Sequence, residues 1–149
     1  MEELVRKAWP EDIHFLAATM REEDVNECYA SGHFPKDALF LGFHNGITYT
    51  LMEPNGPIAG MLGVTKSHPE AKDGLVWMLA TPAIEQYPMT FLRRCKPVLD
   101  RLYDESGCEL LWNHTHKPNT VHHKWLKWLG FSFLREVGDF YEFARLKGG

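Results

Sequence analysis

No stretch of the sequence approaches the roughly eighteen consecutive apolar residues of a membrane-spanning helix, so no membrane span is expected. A basic leader is missing too. The chain opens Met1-Glu2-Glu3, an acidic start unlike a secretory signal, so the protein is expected to stay soluble inside the cell that makes it. Cysteine is scarce: Cys28, Cys95 and Cys108 are odd in number and follow no metal spacing, which speaks against a disulfide framework and suits reduced thiols. An excess of positive charge is also lacking. The net charge is −4, with twelve acids against six bases in residues 1–75 and eight against ten in residues 76–149. Arg93, Arg94, Lys96 and Arg101, with Lys117, Lys124 and Lys127, can gather into one modest basic patch, which leaves a nucleic-acid partner as the last-ranked reading. What is present is enough for a core: 149 residues, 44% of them hydrophobic, fit one self-sufficient domain over residues 1–149.

The pattern along the chain is mixed. Leu4 to Ala8 reads as a short strand, and Pro10 with Glu11 and Asp12 opens a helix whose Ile13, Leu16, Ala17 and Met20 share a face. A second short helix covers Arg21 to Ala30 or Pro35 to Gly42. Ile47 to Met52 and Ile58 to Thr65 form a hairpin across the turn Glu53-Pro54-Asn55-Gly56-Pro57, and the apolar run Leu75 to Ala80 suits a strand buried on both faces. Met89 to Ser106 has helical spacing, kinked at Pro97 and ended by Gly107. A strand at Glu109 to Asn113 follows, then a helix over Val121 to Leu129, capped by Asn119-Thr120 and closed by Gly130. A hairpin of Phe131 to Val137 and Phe140 to Leu146 completes an α/β domain, with a mixed, mainly antiparallel sheet flanked by helices.

That order, with Asn119 followed by Leu126, Gly130 and Phe131, resembles the GNAT acyl-CoA-dependent N-acyltransferase fold. A narrower likeness rests on Trp77-Met78-Leu79-Ala80-Thr81-Pro82, Phe91-Leu92-Arg93, Leu111-Trp112-Asn113 and His123-Lys124-Trp125-Leu126-Lys127-Trp128-Leu129-Gly130-Phe131. These segments look like the small GNAT-like proteins of tailed phages, a group that includes an internal virion protein of short-tailed coliphages. The resemblance implies a protein of the host cytoplasm, packaged in the particle or made for its assembly, with phage or host proteins as partners. The rival it implies is an acetyl-CoA-dependent N-acetyltransferase of a small amine or a host protein.

The resemblance also implies where acetyl-CoA would lie. Its pantetheine arm would pair with Leu79, Ala80 and Thr81, opposite Trp112 and Asn113, with Gln86 to Thr90 around the pyrophosphate and Asn119 nearby. Such a cradle needs free backbone N–H groups at a helix start and glycines for close approach. Met89 and Phe91 stand at the glycine positions and are expected to crowd the phosphates, and Pro88 removes a donor. Many relatives carry a tyrosine acid where this chain has Leu126. Glu85, His122 and His123 are the nearby titratable groups, but no acid–base pair can be assigned among them. The expectation is a degenerate site on a scaffold kept for protein contacts. His114 and His116 with His122 and His123 raise a weak suspicion of a metal, against which adjacent helix positions point about 100° apart. The phase of Cys95 with Phe91 and Leu99 makes it core rather than nucleophile.

Overall fold

The computed structural model describes residues 4–54 and 56–149; the acidic start and the central Asn55 of the expected 53–57 turn lie outside the described residues. Its elements run β1 (Val5–Lys7), α1 (Pro10–Thr19), α2 (Glu22–Ala30), α3 (Pro35–His44), β2 (Gly46–Met52), β3 (Ile58–Thr65) and β4 (Asp73–Ala80). They continue with α4 (Ala83–Gln86), α5 (Pro88–Ser106), β5 (Leu110–His116), α6 (Thr120–Trp128), β6 (Ser132–Val137) and β7 (Phe140–Leu146). The seven strands form one sheet in the order β1-β2-β3-β4-β5-β7-β6. Every neighbouring pair is antiparallel except β4 with β5. Among the described residues no helix is long and apolar enough to cross a membrane.

Strand alternation divides the core in two. Met61 and Leu79, paired across β3 and β4, point to one face and pack with Ile13, Leu16, Met20, Cys28 and Leu39 of the α1–α3 layer. Their neighbours Leu62, Val64, Met78 and Ala80 point to the other face, where α5 lays down Phe91, Cys95, Val98, Leu99 and Leu102. A run with no polar alternation is what a strand covered on both sides requires. Burial pushes the Cys95 thiol up to about 12, consistent with a core position.

Both alternatives for the second helix form, as α2 and α3, because Gly32, at φ 88°, lets the chain turn between them. The turn α4 was not anticipated. Pro82 ends the strand, and the Thr81 hydroxyl accepts from the Ala83 N–H at 3.2 Å. α5 runs through Pro97, which lies on its exposed side, so the lost backbone bond falls where water can replace it. Gly107 closes α5 in the left-handed region, its N–H on the Tyr103 carbonyl at 3.0 Å.

Candidate functional site: a forked sheet stitched from within

The strands β4 and β5 pair over only three positions, Asp73 with Leu110, Gly74 with Leu111 and Leu75 with Trp112, and then separate. Trp112 therefore lies beside Leu75 rather than beside Leu79–Thr81, and the fork starts earlier in β4 than the sequence suggested. At its base the Asn113 Nδ2 amide donates to the Val76 carbonyl at 2.9 Å.

The direction of the ladder decides what the fork offers. Thr81 N–H donates to the Ala59 carbonyl at 2.8 Å, so Thr81, Leu79 and Trp77 turn their backbone groups toward β3. In an antiparallel ladder the alternate residues, Met78 and Ala80, then turn theirs into the gap. Both groups of Ala80 are already taken. Its N–H donates to Asp24 Oδ2 at 2.9 Å, and its carbonyl accepts from the Arg21 N–H at 2.8 Å.

Around that clamp lies a buried polar network. Arg21, only 2% exposed, donates through Nη1 to Asp24 Oδ1 at 2.8 Å and to Asn119 Oδ1 at 3.3 Å, and through Nε to Glu85 Oε2 at 2.8 Å. Asn119 Nδ2 donates to Asp24 Oδ1 at 2.9 Å and to Glu27 Oε1 at 3.0 Å. Glu27 Oε1 also accepts from the His116 N–H at 3.1 Å, with His122 Nδ1 at 3.7 Å. Burial alone would raise the Glu27 carboxyl, but His122 and the Asn119 and His116 donors outweigh it and hold it below its ordinary range. His122 mirrors this: burial would lower it, yet Glu27 and Asp24 raise it. Burial pushes the Asp24 carboxyl up against the pull of His122 and Arg21.

Asn119 does precede α6, but it makes no side-chain cap bond there, because its amide is spent on the two α2 carboxylates. Arg21, Asp24 and Glu27 escaped notice in the sequence. Their three-residue spacing was the available signal, since it puts all three on the inward face of α2, in phase with buried Cys28.

On the α2–α3 side the fork opens into a cleft of about 730 Å³, lined by Glu27, Leu41, Trp77, Trp112, Asn113 and His122 among others. That volume is in the range of small-molecule sites. Trp77 forms a wall because Gly42 and Gly63 let it in: a Cβ on either would come within 2.5 or 2.7 Å of the indole.

The remaining expected positions are dispersed. Leu79 is buried against the α1–α3 layer, Gln86 is exposed at the end of α4, and Thr90 is half-buried, its carbonyl accepting from Arg94 Nη1 at 3.3 Å. Neither Gln86 nor Thr90 lines the cleft. Phe91 is fully buried in the α5 core and so does not crowd a phosphate, whereas Met89 is 49% exposed at the helix start. There Pro88 has no N–H, and the Phe91 N–H is bonded to the Tyr87 carbonyl, which leaves the Met89 and Thr90 N–H groups as first-turn donors. Leu126 is buried in the α5-side core. The paired histidines diverge: His122 faces Glu27, while His123 Nε2 reaches the His116 carbonyl at 3.0 Å.

No protein-family model matches the chain, and no curated protein matches it in sequence. Solved structures do match it in shape. The GNAT domain of S. lividans PAT superposes with a TM-score of 0.72 at 13% identity, over 95% of this chain and 89% of that one. A GNAT-family acetyltransferase from Streptococcus pneumoniae gives 0.65 at 18% identity, over 96% and 98%. The spermidine N-acetyltransferase of Vibrio cholerae in complex with CoA and spermine gives 0.65 at 12%, over 97% and 95%. The chain has a GNAT-like fold; at these identities the likeness extends to the fold alone.

Proposed function

We propose that this chain uses the GNAT scaffold with its acyl-CoA slot sealed, and that it acts through protein contacts. The carrying observation is the pair of hydrogen bonds that occupies Ala80, its N–H donating to the Asp24 carboxylate and its carbonyl accepting from the Arg21 backbone N–H. An acyl-CoA arm pairing there would have to take the Ala80 N–H from the buried Asp24 carboxylate and the Ala80 carbonyl from the Arg21 backbone N–H. Leaving that buried charged acceptor one donor short costs about 1–3 kcal/mol or more, whereas each new backbone bond to the arm returns about 0.5–1.5 kcal/mol net. The residues present therefore do not fit an acyl-CoA arm at Ala80. The resemblance to small phage proteins supports a role inside the particle or in its assembly.

A second reading, favoured by the acetyltransferase neighbours and by the cleft with Glu27 at its wall, is an acetyl-CoA-dependent N-acetyltransferase of a small amine or a host protein. Titration calorimetry with acetyl-CoA and with CoA separates the two. No heat of binding is expected; micromolar affinity, with release of CoA thiol in the presence of amines, would establish the second reading. For the particle role, mass spectrometry of purified virions is expected to find the chain, and its absence counts against packaging.

A further inference from the structure

The helices on the two faces of the sheet carry opposite charge. On the α1–α3 layer the exposed charges are Glu11, Glu22, Glu23 and Asp37 against Lys36, a net of −3. The α5–α6 layer exposes Arg93, Lys96, Arg101, Lys124 and Lys127 against Asp100, Asp104 and Glu105, a net of +2, with Arg94 half-buried among them. Both layers also expose aromatic surface. Tyr29 and Phe34 stand edge to face at 5.8 Å, 53% and 65% exposed, with Phe40 beyond them. On the opposite layer Trp128 is 38% exposed beneath the Lys96 ammonium, which lies 4.1 Å from its ring centroid. Exposed aromatics grouped in this way mark contact surfaces.

We infer that copies of this chain associate head to tail, the acidic aromatic α1–α3 layer of one against the basic α5–α6 layer of the next. Each copy supplies both halves of the contact, so the occupant of each surface is a second copy. A symmetric contact of α1–α3 with itself would set −3 against −3. A heterologous contact leaves one surface open at each end, so assembly continues past the dimer unless the rotation closes a ring. The inference is independent of whether acyl-CoA binds.

Sedimentation velocity on the full chain, over a concentration series at about 50 mM and about 500 mM salt, reads the contact through charge screening. At low salt, species larger than a dimer are expected to grow with concentration, and at high salt a monomer is expected. A monomer in both, or association that salt leaves unchanged, overturns the inference. The order of faces is read from two surface variants. Glu22→Lys with Asp37→Lys makes both layers positive, and Lys124→Glu with Lys127→Glu makes both negative. Each alone is expected to be monomeric, and an equimolar mixture is expected to associate again, since every positive layer then finds a negative one. Self-association of either variant alone, or a mixture that stays monomeric, overturns it. Far-ultraviolet circular dichroism checks that both variants are folded, and the salt series on the unaltered chain stands without them.

Discussion

Arg21 joins the Glu23 and Asp24 carboxylates beside it to two distant groups, Glu85 after β4 and Asn119 before α6. Its role is legible only from the removal of its guanidinium. Arg21→Ala leaves the Asp24 carboxylate buried without its cation and is expected to destabilise the fold by about 3–5 kcal/mol, read from urea midpoints. Arg21→Met with Asp24→Leu removes both charges together and is expected to recover part of that loss. None of this could be read from composition. Arginine and aspartate are ordinarily surface residues, and their burial follows from where β4 and β5 part.

Among the elements, legibility followed local determinism. The bounds of β3 and β7 agree with the sequence reading because sharp turns flank alternating or apolar runs on each side. The stripe Phe91, Leu92, Cys95, Val98, Leu99 and Leu102 was equally plain, and all six are buried on α5. β5 runs three residues beyond the expected Asn113, through Thr115 and His116, which look polar. Their surroundings are polar too: Thr115 is buried beside His122, and the His116 N–H meets Glu27. Long-range pairing of this kind is invisible to a local window. The packing of β3 on α3 through Trp77 gives a test at this scale. Gly63→Ala brings a methyl within 2.7 Å of the indole and is expected to cost about 1–3 kcal/mol by thermal melting. Trp77→Leu, which vacates that space, is expected to lower the cost of the alanine when the two are combined.

For the whole molecule, the buried network ties stability to pH. His122 holds its proton more tightly folded than unfolded, so its contribution is full below its ordinary value of 6.5 and is lost as pH rises through the raised value. Glu27 runs the other way: its contribution is present above its ordinary value of 4.5 and is lost as pH falls through the lowered value. Asp24, raised by burial, contributes fully below its ordinary value of 3.8 and loses that contribution as pH rises through its raised value. Melting temperature is therefore expected to be highest at mildly acidic pH, roughly 5–6, and to fall on either side. His122→Gln is expected to flatten the alkaline limb; an unchanged limb would assign the effect elsewhere.

The stitch across the fork also sets an order in time. Asp24 and Glu27 leave the ribosome 95 and 92 residues ahead of the Asn119 amide that joins them. At synthesis rates of about 5–20 residues per second, they stand without it for roughly 5–20 s. Asp24 meets Arg21 and the Ala80 N–H before then, but Glu27 has none of its partners His116, Asn119 and His122, and water serves it meanwhile. A carboxylate from the acidic half of the chain is thus paired only once the later half has been made.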